Sequence, residues 1–318
     1  MGGGTTAERP LAGVPATADP VRAGLYGPTS EAWRLNREAT LLLGAGPRAV
    51  LLQVAHPLVA EGVAAHSSFV ADPWARLEGT LRSYQRIVYG TAPVAHAEIR
   101  RLNAMHERVA GPVLDAEAAR RFGPAFAARD PSLALWVHAT LIDSTLVVID
   151  RWLGPLARDI RARFYAETLV VGRLFDIPDV LLPADIDAFD AYVAGMLAPS
   201  GPVHPTNTSR ALAAAVLHPP LAPLAERGPV ALWLGPAAAP VARLLGAVPD
   251  AVIAPLFVPA IGLLPAGVRT ELGLAWGPTE RATDAWLVTS WRAWRSILPP
   301  SIRWFPQARA AFARTAPR

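Results

Sequence analysis

From Ser30 to Ala198 the apolar residues recur at intervals of three and four, and no run alternates apolar with polar residues in the manner of a strand. The pattern is interrupted at Gly44 to Pro47 and at Pro73, Pro93, Pro112, Pro131, Pro155 and Pro178, where one helix must end before the next begins. An all-α fold is therefore expected. With 318 residues, 52% of them hydrophobic, the chain can bury a large core in one domain or in two that pack closely. Residues 1–25 are rich in glycine, proline and small side chains and read as a disordered tail. Residues 26–200 read as the helical core, and residues 201–318 as a proline-richer helical part packed on it. Within the latter, residues 251–268 carry no charge over 18 positions, but Pro255, Pro259 and Pro265 favour buried broken helices over a membrane span.

The stretch LLLGAGPRAVLLQVAHP (41–57) has the glycines of a dinucleotide-binding turn but lacks its context. The residues before it, EAWRLNREATLLL, are helix formers rather than a strand, and Pro47 removes an amide that a pyrophosphate would need. Gly46 is expected to cap one helix and Pro47 to start another.

Composition narrows the chemistry. There is no cysteine, which excludes disulfides, thiolate metal sites and covalently attached c-type haem. Arginine supplies all 30 basic residues, so lysine Schiff bases and a P-loop lysine are excluded as well. The formal charge of +4 is concentrated at the end of the chain, where residues 281–318 hold seven arginines against Asp284 alone. This end also carries Trp286, Trp291, Trp294 and Trp304, a composition that suits peripheral contact with a membrane, a cover over an apolar ligand, or tryptophans docked into the core with arginines in water. Elsewhere acids balance the basic residues, so nucleic-acid binding is not expected. No apolar signal-peptide core is present near the start, and a cytoplasmic location is expected.

Polar residues inside apolar segments are the candidate functional groups. PRAVLLQVAHPLVAEGVAAHSSF carries Gln53, His56, Glu61 and His66, each of which must be paired or functional if buried. Glu61 is either a general base of raised pKa or the partner of a distant arginine. In WARLEGTLRSYQRIVYG, the residues Trp74, Leu77, Leu81, Tyr84 and Val88 form a core stripe, with Arg76 and Thr80 one turn apart on its flank, a pair suited to an anion or a bound oxygen species. In the helix expected over 97–110, His106 shares a face with Ile99, Leu102 and Val109, where a leucine would be ordinary. No Glu-x-x-His pair and no His-Glu-x-x-His motif is present, and His96 and Glu98 fall on different faces of a helix. A noncovalent haem needs only one neutral imidazole, an apolar pocket and arginines for its propionates, all of which this chain can supply.

Taken in order, LLLGAGPRAVLLQVAHPLVAEGVAAHSSF, DPWARLEGT, LNAMHERV and DPSLALWVHATLIDS resemble the DUF2236 family, which contains rubber oxygenase (latex clearing protein) and the fungal MpaB-type oxygenases. The resemblance covers about residues 30–200. It implies a globin-like, all-helical haem b core and oxidative cleavage of carbon–carbon double bonds in hydrophobic substrates by O2. It places the axial ligand on His106, matches Arg76 and Thr80 to the haem-proximal Arg-x-x-x-Thr pair, makes Glu61 the nearest match to a proposed base, and assigns His138 to haem-pocket support. Latex clearing proteins are secreted, whereas no export signal is seen here, so a small apolar molecule is the expected substrate rather than an extracellular polymer. The rival classes are a peroxidase-like enzyme or a haem or gas sensor, and a haem-free lipid-binding helical protein.

Overall fold

The computed structural model describes residues 20–66, 73–218 and 254–316. Its centre is a 23-residue helix, α8 (Pro131–Leu153), apolar on nearly every side, with Leu133, Trp136, Ile142, Leu146 and Ile149 buried. Asp130 starts it, its side chain accepting from the Ser132 amide, with Pro131 in the first turn where no donor is wasted. By length and composition α8 could cross a bilayer, but here it is wrapped by other helices.

The segment containing the glycine turn lies along α8. A short 3-10 turn (Ala39–Leu42) leads into α3 (Ala45–Ala55), which begins two residues earlier than expected, with Gly44 at the N-cap and Gly46 and Pro47 already helical. A Cβ on Gly44 would sit 3.0 Å from both methyls of Val148, so the glycine serves the close approach of α3 to α8 and has no role in cradling a phosphate. Three polar links fix the register. Arg48 donates from Nη1 to Asp143 Oδ2 (2.7 Å) and to Ser144 Oγ (2.9 Å), Gln53 donates to Thr140 Oγ1 (3.0 Å), and the Trp136 indole donates to the Leu52 carbonyl (3.2 Å). Partners descend along α8 as α3 ascends, so the two run antiparallel. Arg48 also donates from Nε to the Leu263 carbonyl at 2.9 Å, which ties in the C-terminal part. His56 is extended before Pro57, and the chain turns through 103° into α4 (Pro57–His66).

The other long helices are α5 (Pro73–Tyr89), α6 (Ala92–His106), α9 (Arg158–Leu174), α10 (Ile186–Met196) and α11 (Asn207–Leu217). Of the expected stripe on α5, Val88 is buried and Leu77, Leu81 and Tyr84 pack against the core. The helix α6 stops at His106, short of the expected 110, so Val109 lies beyond its end. From there the chain makes a two-stranded antiparallel sheet, β1 (Ala110–Pro112) and β2 (Ala125–Ala127), around α7 (Ala116–Phe122). Strands of three residues are too short to show a period of two. The protein is all-α apart from this sheet, among the described residues.

Pro20–Ala23, expected within the tail, form the short helix α1, and Ala23 and Leu25 are buried. Residues 1–19 lie outside the described part. In the C-terminal part, a 3-10 turn (Ala254–Phe257), α12 (Val258–Gly262) and α13 (Ala266–Glu271) bury Phe257, Ala260 and Leu264 in the broken-helix arrangement the prolines implied. Three further helices follow: α14 (Pro278–Arg295), α15 (Pro300–Arg303) and α16 (Pro306–Thr315). They return to the start of the chain. Arg295 pairs with buried Glu38 at 2.9 Å, Arg151 with Asp284 at 2.6 Å, and Arg314 donates to the carbonyls of Tyr89 (2.8 Å) and Arg22 (2.9 Å). Trp291 packs against Trp152 and Trp304 against Phe312, while Trp286 and Trp294 face outward.

Candidate active site

The last residue of α6 is the focus of the site. Asn103 donates from Nδ2 to the Leu174 carbonyl at 3.0 Å and so binds the end of α6 to the end of α9. One turn further on, His106 stands half-buried, its ring 6.4 Å from that of Phe175. Burial lowers its pKa, and the nearby guanidinium groups of Arg76 and Arg129 lower it further. The imidazole is therefore neutral near pH 7. No hydrogen bond occupies the ring among the described residues, which leaves a lone pair available to a metal.

Arg76, on α5, combines two properties that rarely coincide. Its surface is exposed, yet the protein around it depresses the pKa of its guanidinium by desolvation. It has no carboxylate partner among the described residues, and such a cation can take an anion. Thr80 lies one turn along and donates its hydroxyl to the Arg76 carbonyl at 2.9 Å. Its proton is thus held by the helix, and its oxygen can only accept. Arg129 is also near His106 and pairs with Asp176 at 3.0 Å; Asp176 has a left-handed backbone (φ 58°) at the turn that ends α9.

His138 belongs to the same neighbourhood. Its Nε2 lies 3.2 Å from the Thr168 carbonyl, and a Cβ on Gly172 would touch its ring at 3.5 Å. Thr168, Gly172 and Phe175 are spaced by four and three residues along α9, so His138 and His106 meet one face of that helix about a turn apart. Burial pushes the His138 pKa down to about 4, against a small opposing effect of the Thr168 carbonyl.

Glu61 is placed differently. It is buried on α4, where Oε2 accepts from the Leu114 amide at 3.3 Å and Oε1 has no partner. Neither Arg48 nor Arg76 pairs with it, and no contact joins it to His106 among the described residues. Its neighbour Gly62 lies against Val109 and Phe126, so Glu61 meets the site only through the segment that follows His106. His56 is buried beside Phe122 with Nδ1 unpartnered, and His66 Nε2 lies 3.0 Å from the Ala110 carbonyl.

Of the residues singled out from the sequence, Arg76 lies near His106, His138 meets the helix α9 that ends beside His106, Thr80 is linked only to Arg76 within α5, and Glu61 stands apart. Sequence reasoning missed Arg129, Phe175 and Asp176. Arg129 directly precedes the DPSLALWVHATLIDS segment, but an arginine beside a helix cap is so ordinary on a surface that only the fold distinguishes it.

The buried histidines make stability dependent on pH. His56 is pushed down to about 4 by burial, with Asp130 opposing weakly and Arg121 adding to the shift, and His138 is lowered equally far. An unfolded histidine titrates at about 6.5, so between there and about 4 the unfolded chain takes up protons that the native protein refuses. Stability is expected to be full above pH 6.5 and to fall as the pH drops towards 4, by at most about 1.4 kcal/mol per pH unit for each histidine. Urea midpoints at pH 7.5 and pH 5 measure this. Equal midpoints at the two values would refute it, and His56→Asn should flatten the slope.

Among the described residues, no three His, Asp or Glu side chains converge as a metal cage. The site offers a metal one imidazole, and the remaining ligands would have to come from a cofactor.

Residues 33–299 match the family model described as "ER-bound oxygenase mpaB/B'/Rubber oxygenase, catalytic domain". No curated protein and no solved structure matches the chain.

Proposed function

Because the chain belongs to the mpaB/rubber-oxygenase catalytic-domain family, and is on that ground an oxidoreductase of the oxygenase type, we propose that it is a haem b-dependent oxygenase acting on a hydrophobic, unsaturated small molecule with O2. The observation that carries the haem is the nearness of the half-buried His106 imidazole, with no hydrogen bond to its ring among the described residues, to the Arg76 guanidinium, with no carboxylate partner among them. These residues fit the group. His106 would hold the iron, Arg76 and Arg129 would pair with the carboxylates of the group, and His138 would support it from α8. When bound, the haem supplies the iron centre at which O2 reacts.

The rest is done by the chain itself. Phe175 lies beside the His106 ring, its centroid 6.4 Å away, and gives it an apolar neighbour. Thr80 accepts a hydrogen bond from whatever polar group lies beside Arg76. Glu61, buried with one carboxylate oxygen unpartnered, is the candidate base for an allylic proton of a substrate that extends along the segment after His106. On this reading residues 26–200 hold the cofactor, in the globin-like manner the family implies, and residues 201–318 cover it.

Protein purified from cells supplied with haem precursor tests the first half: a Soret band supports haem binding, and its absence favours a haem-free lipid-binding protein. Oxygen consumption with terpenoids or unsaturated lipids tests the second half, since haem without turnover of any such compound points to a peroxidase-like enzyme or a sensor. Glu61→Gln should retain normal haem content while turnover falls at least about tenfold. Unchanged turnover in that variant would remove Glu61 from the chemistry.

A further inference from the structure

Asp176 is the one residue other than glycine with a left-handed backbone among the described residues, its φ at 58°. It follows Phe175, the C-cap of α9, and the turn closes with two backward hydrogen bonds, from the Asp176 amide to the Arg173 carbonyl (3.0 Å) and from the Ile177 amide to the Gly172 carbonyl (3.2 Å). Glycine is the usual residue at this position, because a Cβ there crowds the following carbonyl. The chain supplies its own comparison. Past the end of α13 the same pair of bonds recurs, from the Gly273 amide to the Thr270 carbonyl (3.0 Å) and from the Leu274 amide to the Arg269 carbonyl (3.0 Å), and there the left-handed residue is a glycine, with φ at 72°.

An aspartate enters the left-handed region readily when its side chain bonds its own turn. The Asp176 carboxylate makes no such bond among the described residues; it faces Arg129 instead, with Oδ2 3.0 Å from Nη2. Stability does not account for the choice, since the two side chains are 36% and 60% exposed, a setting in which an ion pair adds little. What the pair does is fix a guanidinium. Arg129 stands between β2 and α8 and near His106, and the turn that carries Asp176 is itself tied to the end of α6, where the Leu174 carbonyl accepts from Asn103 and Phe175 lies beside the His106 ring. Contact through Nη2 leaves the Nε and Nη1 donors of Arg129 for a further anion. We infer that Asp176 is a positioning residue, whose carboxylate holds the Arg129 guanidinium beside His106 in a turn whose backbone glycine would suit better.

The inference rests on the role proposed for Arg129, pairing with a carboxylate of the cofactor, and it names the residue that aims that arginine. Asp176 touches neither His106 nor Arg76 among the described residues, so it acts on the site through Arg129.

The test compares the full chain with Asp176→Gly, Asp176→Asn and Arg129→Gln. Asparagine also enters the left-handed region, so Asp176→Asn removes the charge and keeps the turn. In haem-free protein, modification of Arg129 by phenylglyoxal, followed by peptide mass spectrometry, should quicken about threefold in both Asp176 variants, the factor that loss of an exposed ion pair implies, while Arg76 keeps its rate. In haem-loaded protein, transfer of haem to an excess of a scavenging apoglobin should quicken by about the same factor. Asp176→Asn/Arg129→Gln should release haem no faster than Arg129→Gln alone. Asp176→Gly should melt no lower than the parent, whereas loss of a merely structural residue would lower the melting temperature. Equal modification rates in the parent and Asp176→Asn would overturn the inference, as would additive effects of the two substitutions on haem release or a fall of more than about 3 °C in the melting temperature of Asp176→Gly. A parent that takes up no haem, or an Arg129→Gln protein that releases it at the parent rate, ends the role proposed for Arg129, and the modification rates then decide alone whether Asp176 holds it.

Discussion

His106→Ala is expected to emerge from haem-supplied expression without a Soret band and without oxygen consumption, while its helical circular dichroism is retained. His106 sits at the end of α6, half-buried and with no hydrogen bond to its ring among the described residues, so removing it leaves little cavity and strands no partner. A stability loss of no more than about 1 kcal/mol follows. The cost to cofactor binding is of another order, because Arg76 and Arg129 can hold carboxylates but cannot ligate iron. Free imidazole added to the variant should restore part of the band, as a small ligand entering the space the side chain leaves. A variant that keeps full haem would move the ligand to another histidine, with His138 and His66 the next to be replaced. Loss of helix content would instead make His106 a structural residue.

Arg48→Ala should produce the largest loss of stability among single substitutions along α3, about 3 to 5 kcal/mol. The guanidinium is 4% exposed and serves three acceptors at once, the Asp143 carboxylate, the Ser144 hydroxyl and the Leu263 carbonyl. Truncation strands a largely buried carboxylate and two further oxygens in the seam between α3 and α8. The penalty comes from the orphaned partners more than from the lost attraction, so Arg48→Met with Asp143→Leu should recover a good part of it. Chemical denaturation with the four proteins of that cycle measures the coupling. A loss under about 1 kcal/mol for Arg48→Ala would show that water reaches Asp143 and that the seam is wetter than its burial implies.

Helix type and the broken path of residues 254–271 were legible from the chain because periodicity and proline report directly on local backbone. The partners of Gln53 and Arg48 were not, since Thr140, Asp143 and Ser144 lie about ninety residues away and only the antiparallel packing of α3 on α8 brings them near. The small sheet was hidden by its brevity. At the site, His106 could be noticed as a polar residue on an apolar stripe, whereas the stripe itself ended sooner than the pattern implied. Arg129 carried no local signal, and its approach to His106 depends on the turn at Asp176 that ends α9. Tryptophan composition at the C-terminal end favoured docking into the core over exposure, and the fold uses both, packing Trp291 on Trp152 and Trp304 on Phe312 while leaving Trp286 and Trp294 outside.

The links from Arg295 to Glu38 and from Arg314 to the carbonyls of Arg22 and Tyr89 join positions separated by more than two hundred residues. During synthesis, Arg22, Glu38 and Tyr89 must wait until residues 295 and 314 have left the ribosome before these partners exist. Until then Glu38 lacks its Arg295 partner and the apolar surface that Phe305, Ala308 and Ala311 later cover is open to water. Such long-range closure slows folding and prolongs the life of aggregation-prone intermediates. Residues 295–314 therefore act as the latch of the folding reaction, and the nascent protein is most dependent on chaperones just before they arrive.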